Sequence, residues 1–235
     1  MQTDREKSVY VRDMFSRIAG NYDLLNRLMT AGQDVRWRKE LIANCDLQPG
    51  DRVLDLGTGT GDLALEAIQE CSSLQAIGGD FTLQMMQAGK SNSAKKDIQW
   101  LACDATELPF ENQQFEVVVS GFLLRNVNDL QLTLKEQFRV LKPGGRIAAL
   151  DTTHPPEGLI SPITNFYLNH VIPSLGSLIS GDKEAYQYLP QSTSQFLRAE
   201  ELSNRFAQVG FTNIKYVKKM MGTVAIHWAQ KPMGG

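Results

Sequence analysis

Long apolar runs are missing from this sequence, and with them the roughly 20 consecutive apolar residues that a membrane-spanning helix requires. The opening stretch, MQTDREKSVY, is polar and lacks the apolar centre of a secretory signal, so the expected location is the cytoplasm, peripheral at a membrane surface at most. Cysteine is scarce. Cys45, Cys71 and Cys103 are widely spaced with no C-x-x-C, and Cys45 and Cys103 fall in apolar periodic stretches, a pattern of buried free thiols with no disulfide and no metal site. A surplus of positive charge is absent too: 24 Lys and Arg stand against 26 Asp and Glu, interspersed rather than clustered, for a net charge of -2. Nucleic acid is therefore not an expected partner. No internal repeat, low-complexity tract or linker interrupts the chain.

The 235 residues, 42% hydrophobic and 21% charged, suit one α/β domain with a full core. Apolar residues at helical spacing over Val11 to Met29, broken near Gly20-Asn21, and again over Val35 to Cys45, predict an N-terminal helical cap spanning residues 1–47. Gln48-Pro49-Gly50-Asp51 is turn chemistry, and the pattern then alternates. Strands are expected at Arg52 to Leu56, Leu74 to Gly79, Ile98 to Cys103, Phe115 to Ser120 and Arg146 to Leu150, with helices at Leu63 to Ile68, Leu83 to Ala88 and Leu130 to Val140. Lys142-Pro143-Gly144-Gly145 reads as a turn before the fifth strand. This alternation over residues 48–157 predicts a mostly parallel sheet with helices on both faces. An apolar segment, Leu159 to Ile179, breaks the rhythm within a covering insertion at 158–195. A helix at Ala199 to Val209 and strands at Ile214 to Val217 and Thr223 to Trp228 follow in 196–235, for seven strands in all.

The stretch Val53-Leu54-Asp55-Leu56-Gly57-Thr58-Gly59-Thr60-Gly61-Asp62 is a strand running into a glycine turn and then a helix, which sets backbone N–H groups and a helix N-terminus at the strand's carboxyl end. A nucleotide-like ligand is expected there; the bland alternative is an ordinary tight turn. The third glycine comes one position too early for G-x-G-x-x-G, and Asp55 precedes the first glycine where it would point toward the ligand; both argue against a dinucleotide. The D-x-G-x-G-x-G arrangement resembles the Rossmann-like class I methyltransferases that use S-adenosyl-L-methionine. That resemblance implies that Gly57 and Gly59 admit the methionine part of the cofactor and that Asp55 orients its ammonium indirectly. Asp80 ends the second strand 19 residues after Gly61, where a carboxylate can accept both ribose hydroxyls. Asp104-Ala105 ends the third, where an acid can take the adenine amino group and a backbone N–H a ring nitrogen. Thr58, Thr60, Phe81 and Ser120 on the same edge complete the expected cofactor-binding set.

Further motifs narrow the class. Tyr22-Asp23-Leu24-Leu25-Asn26, Leu124-Arg125-Asn126-Val127, Arg139-Val140-Leu141-Lys142-Pro143-Gly144-Gly145 and Tyr186-Gln187-Tyr188-Leu189-Pro190-Gln191-Ser192 are similar to the signatures of the UbiE/MenG/Coq-type quinone C-methyltransferases, over roughly Val11 to Trp228. The chain departs from that pattern at Asp34, where histidine is usual, at Leu25, at Leu123, where glycine is usual, and at Asp151-Thr152-Thr153-His154. A leucine in place of a glycine beside the substrate would narrow the pocket.

The resemblance implies methylation of a ring carbon of a prenylated or phytylated 1,4-naphthoquinol, as in menaquinone or phylloquinone synthesis. Alternatives are a benzoquinol of ubiquinone synthesis, another small phenolic acceptor, or a non-catalytic scaffold subunit; the intact Asp55, Gly57, Gly59, Asp80 and Asp104 speak against the last. The reduced ring is needed because a quinone is too electron-poor to act as nucleophile, and stabilising the oxyanion left by a departing hydroxyl proton assists attack. Arg125 is the expected oxyanion stabiliser, always charged and therefore no base, with a structural salt bridge as the competing reading. Asn126 would hold the loop or a quinol oxygen, and Tyr22 would close the site from the cap unless it is simply a buried tyrosine. His154 is the candidate general base, with His170 as substitute; His227 reads as structural. The apolar segment after the fifth strand would cover an isoprenoid tail, with transient membrane contact to collect it. A homodimer is compatible with the sequence.

Overall fold

The structure is a computed structural model and describes residues 4–155, 188 and 192–234. The cap consists of α1 (Asp4–Ile18), a 3-10 turn (Ala19–Asn21), α2 (Tyr22–Met29) and α3 (Gln33–Ala43). The break at Gly20-Asn21 is as expected, but α1 begins seven residues before Val11. The added residues include the good helix formers Arg5, Glu6 and Lys7 and no Gly or Pro, so nothing in them stops the helix where apolar periodicity is silent.

The central sheet contains β1 (Arg52–Leu56), β2 (Gln75–Asp80), β3 (Gln99–Ala102), β4 (Phe115–Gly121), β5 (Leu141–Thr152), β6 (Thr212–Lys219) and β7 (Val224–Gln230) in the order β3-β2-β1-β4-β5-β7-β6. The first five strands pair in parallel; β7 is antiparallel to both β5 and β6. The helices α4 (Asp62–Glu70), α5 (Leu83–Lys90) and α6 (Leu130–Val140) follow β1, β2 and β4, and α7 (Ala199–Val209) precedes β6. The strand order reverses between β1 and β4, which opens a crevice at their carboxyl ends.

Strands buried on both faces read as apolar runs, and their alternation is visible only in what they touch. Val117, Val119, Ala148 and Leu150 pack with Trp37, Leu41 and Ile42 of α3 and Leu63 and Ala67 of α4. Val118, Ile147, Ala149, Leu54 and Leu56 pack with Leu134 and Val140 of α6 and Leu202 and Phe206 of α7. His227 is buried against this second face, its Nε2 2.9 Å from the carbonyl of Ala199, in the structural role expected of it.

The expected turn at 142–145 lies inside β5 instead. Leu141 pairs with Phe115 and pairing resumes at Arg146 with Val117, so the intervening residues form a bulge. Its backbone groups are taken up by the chain's far end: Gly144 N–H donates to Lys231 O at 3.0 Å, and Lys231 N–H to Gly145 O at 2.8 Å. A partner so distant in sequence turns a local turn signal into strand. The apolar segment Leu159 to Ile179, with His170, lies outside the described residues.

Asp34, one of the departures from the family pattern, is 1% exposed and receives Arg38 Nη1 at 2.5 Å, which gives the buried carboxylate a full partner. The helix α5 crosses beneath the glycine turn at Gly89, where an added Cβ would meet the Thr60 carbonyl and would lie 2.5 Å from Trp100 Cη2. Gly89→Ala should therefore lower unfolding stability by about 1–3 kcal/mol in denaturant titration, the overpacking cost. An ordinary helical glycine would give the opposite sign, a gain of up to about 1 kcal/mol.

Candidate active site

The carboxyl ends of β1 to β4 converge on a cleft of about 240 Å³. Its walls include Gly57, Gly59, Asp80, Phe81, Asp104 and Ala105 from the sheet edge, Leu123 and Asn126 from the loop after β4, and Val11, Phe15 and Tyr22 from the cap. The turn that forms its floor needs glycine for conformation: φ is 68° at Gly57 and 56° at Gly59, the left-handed region that a side chain disfavours. The amides of Gly57 and Thr58 both donate to Gly79 O, at 2.8 and 3.0 Å, locking the turn onto β2.

Asp80 is the hub of this edge. Its Oδ2 accepts from Gly59 N–H and its Oδ1 from Thr82 N–H, each at 2.7 Å. Burial raises its pKa from the ordinary carboxylate value despite these donors. Each oxygen retains acceptor capacity for a further donor, which suits a pair of vicinal hydroxyls. Asp104 receives Thr106 N–H and Oγ1 on Oδ1 alone, at 2.8 and 2.7 Å, so Oδ2 is turned to other donors.

Four of the expected cofactor residues stand behind the cleft wall. The hydroxyl of Thr58 donates to Asp55 Oδ2 at 2.6 Å, and that of Thr60 to Asp23 Oδ1 in α2 at 2.7 Å. Asp55 and Ser120, each 1% exposed, end the paired strands β1 and β4. Among the described residues Asp55 Oδ1 and Ser120 Oγ have no protein partner. Buried polar atoms are costly unless satisfied, so a donor is called for here. The ammonium of an amino-acid moiety, directly or through a water, supplies one, and on that ground the residues present fit S-adenosylmethionine. Asp80 would hold its ribose and Asp104 its adenine.

At the other end of the cleft, Asn126 donates its Nδ2 to Phe122 O at 2.8 Å and accepts the Tyr188 hydroxyl on Oδ1 at 3.1 Å. Burial raises the Tyr22 pKa, with the nearby Asn26 side chain and the Arg125 charge acting the other way, so the phenol keeps its proton at neutral pH. Arg125 does not line the cleft. Its Nη1 pairs with Asp151 Oδ1 at 2.8 Å, the two side chains 6% and 2% exposed, and its guanidinium lies 5.0 Å above the Phe122 ring. The competing reading of Arg125 as a salt-bridge residue thus describes its contacts, although its charge still acts on Tyr22 and Tyr188, favouring their ionised forms. His154 also stands off the cleft: Nε2 lies 2.7 Å from Phe196 O, and since a carbonyl only accepts, that nitrogen carries the proton.

Leu123 lies against the glycine turn itself, its Cδ1 2.7 Å from where a Cβ on Gly57 would be. The leucine thus narrows the cleft at its floor, as expected. Four residues escaped the sequence reading as site residues. Tyr188 sat in a recognised motif with no role attached, Asp23 in another, and Val11 and Phe15 carried only helical periodicity.

Among the described residues no cluster of His, Cys, Asp and Glu could hold a metal ion. Burial pushes the Asp55 carboxyl up to about 7, against hydrogen bonds from Thr58 and Ala64 that act the other way. The group is thus partly protonated near neutrality in the free protein, and folding stability from it is present at acid pH and lost as pH rises through about 7. The ammonium of a bound amino-acid moiety favours the ionised form. Affinity for S-adenosylhomocysteine should therefore rise as pH passes upward through about 7, with proton release in calorimetry, and Asp55→Asn should abolish that dependence.

The model of the ubiE/COQ5 methyltransferase family matches residues 1–231. A ubiquinone/menaquinone biosynthesis C-methyltransferase UbiE of Desulfotalea psychrophila is 46% identical over 94% of this chain and 90% of that one. A demethylmenaquinone methyltransferase of Thermus thermophilus is 38% identical over 93% of this chain and 100% of its own length. Among solved structures, an S-adenosylmethionine-dependent methyltransferase of Thermotoga maritima has a TM-score of 0.67 at 18% identity, covering 94% of this chain and 99% of that one, a likeness of fold. With the seven-stranded sheet, the glycine turn and the two aspartates on its edge, these matches settle the class: the chain belongs to the ubiE/COQ5 methyltransferase family.

Proposed function

We propose that this enzyme transfers a methyl group from S-adenosylmethionine to a ring carbon of a prenylated or phytylated 1,4-naphthoquinol. The observation that carries the reading is that Tyr22 and Asn126, from two of the motifs shared with quinone methyltransferases, line the same cleft as Gly57, Gly59 and Asp80. The cofactor supplies an electrophilic methyl on a sulfonium. The protein has to orient an electron-rich carbon toward it and exclude water. Tyr22 and Asn126 offer hydrogen bonds to the ring oxygens from opposite elements. Arg125 stabilises negative charge on the acceptor through its field while Asp151 fixes its position, and the pair anchors the loop that carries Asn126. The names of the relatives, demethylmenaquinone methyltransferase and UbiE, point to the same acceptor class.

Among the described residues no helix is long and apolar enough to cross a membrane. A prenylated acceptor would be collected by peripheral contact with a bilayer, which the exposed side chains of Phe81 and Leu132 on the cleft wall favour.

The test is transfer of labelled methyl to chemically reduced demethylated naphthoquinols, benzoquinols and simple phenols, with the label located by mass spectrometry. Label is expected on the naphthoquinol ring carbon; label only on benzoquinols or phenols would reassign the acceptor, and none on any ring would refute the reading. Arg125→Ala alone leaves Asp151 buried and unpaired, so the informative variant is Arg125→Ala with Asp151→Asn. It should lower kcat by about 100-fold or more, the scale for loss of one oxyanion-stabilising group, with affinity for S-adenosylhomocysteine within about twofold of wild type.

A further inference from the structure

Thr60 holds the glycine turn from two sides. It lies between Gly59 and Gly61, whose φ angles of 56° and 87° set its backbone. Its hydroxyl donates to Asp23 Oδ1 at 2.7 Å, and its carbonyl accepts from Lys95 Nζ at 2.8 Å. From Lys95 the polar contacts continue to Asp62 Oδ1 at 2.6 Å, from Asp62 Oδ2 to Arg38 at 3.4 Å, and from Arg38 to Asp34 at 2.5 Å. Asp34 in turn accepts the Thr30 hydroxyl at 2.9 Å. Thr30 caps the helix near whose start Asp23 lies, so the circuit begins and ends on Thr60 and encloses α2.

This ring is stiff because its charges are buried in pairs: Asp34, Lys95 and Arg38 are 1%, 3% and 8% exposed. Removing any one leaves another uncompensated. Although burial would raise it, the Asp62 carboxyl is held below its ordinary range by Arg38 and Lys95. By contrast α2 has a thin apolar anchor. Leu25 is buried with Met14 and Ile18, and the half-buried Tyr22 and Met29 pack against them, whereas Leu24 and Leu28 are 52% and 44% exposed. Its placement over the cleft thus depends on polar ties, and the Asp23–Thr60 bond adjoins Tyr22, which faces the cleft.

We propose that Asp23 is a positioning residue that couples the glycine turn to Tyr22: a turn ordered by its ligand presents the Thr60 hydroxyl to Asp23 and so fixes α2, with Tyr22, over the acceptor end of the cleft. The inference rests on the S-adenosylmethionine reading of the turn and is independent of which acceptor is methylated.

Amide hydrogen exchange on the full chain, with and without S-adenosylhomocysteine, reads the coupling directly. In the wild type the ligand should slow exchange both in the turn at 57–62 and in α2, in the latter by about tenfold, a typical coupling between sites. In Thr60→Val and Asp23→Ala the turn should remain protected while protection of α2 falls below about twofold, and Thr60→Ser, which keeps the donor, should restore it. Asp23 is on the half-buried cap, so Asp23→Ala decides the matter where Thr60→Val fails to fold. Protection of the turn with no change in wild-type α2, or α2 protection that survives Asp23→Ala, overturns the coupling. Protection of neither segment overturns the cofactor reading along with it.

Discussion

Everything in this molecule is arranged around the approach of backbone to ligand at one turn. Between β1 and α4 the chain has to reverse within a few residues while leaving amide groups and open space toward the cleft, and only residues without a side chain can do both. The consequences spread outward. Gly78 and Gly79 let β2 come close, since a Cβ on either would lie 2.9 Å from Thr58 Oγ1 or 2.8 Å from Cys103 Sγ. Gly89 lets α5 pass beneath, and the buried Lys95 donates to the Thr60 carbonyl. Asp80 then closes the arrangement by accepting the Gly59 amide with the same carboxylate that faces the cleft. The contacts that hold the turn together thus also shape the wall of the cleft.

The acceptor end is organised differently, by charge. The Arg125–Asp151 pair joins the loop after β4 to the end of β5, and the Arg125 amide donates to the same aspartate at 3.3 Å. A buried pair of this kind adds little net stability, because desolvation offsets attraction, but it places a cationic group at a defined distance from the cleft. The neighbouring Asn126, whose amide group is oriented by Phe122 and Tyr188, and Tyr22 then line the cleft with neutral polar groups. The buried ion pair is thus kept off the cleft surface, which Leu123 and the half-buried Phe122 help to line.

How much of this was legible beforehand depended on range. Strands β1 and β4 and helix α6 agreed with their apolar patterns to within a residue, since each carries its own periodicity and turn residues. The glycine turn, Asp80 and Asp104 fall at the strand ends that the apolar pattern predicts, because that spacing is set by local strand and turn geometry. What failed were features whose partners lie far along the chain. The Lys142–Gly145 stretch became part of a strand because Lys231 accepts and donates across it. His154 meets the Phe196 carbonyl and Thr60 meets Asp23, partners also distant in sequence, whereas Thr58 is held by the nearby Asp55.

The order of residues was therefore sufficient for the fold class, the cofactor edge and the family, because periodicity, glycine spacing and motif composition are local properties of the chain. It could not say which side chains face the cleft. A threonine on the right strand edge has several hydrogen-bond partners within reach, and the choice among them follows from how α2 and α3 pack over the turn. Nor could it say whether Arg125 meets a substrate oxygen or a carboxylate, since Asp151 becomes its neighbour only when β4 and β5 pair in parallel. Recognition chemistry was written in residue types; the assignment of each residue to ligand or to scaffold came from packing, where desolvation leaves each buried polar group little choice of partner.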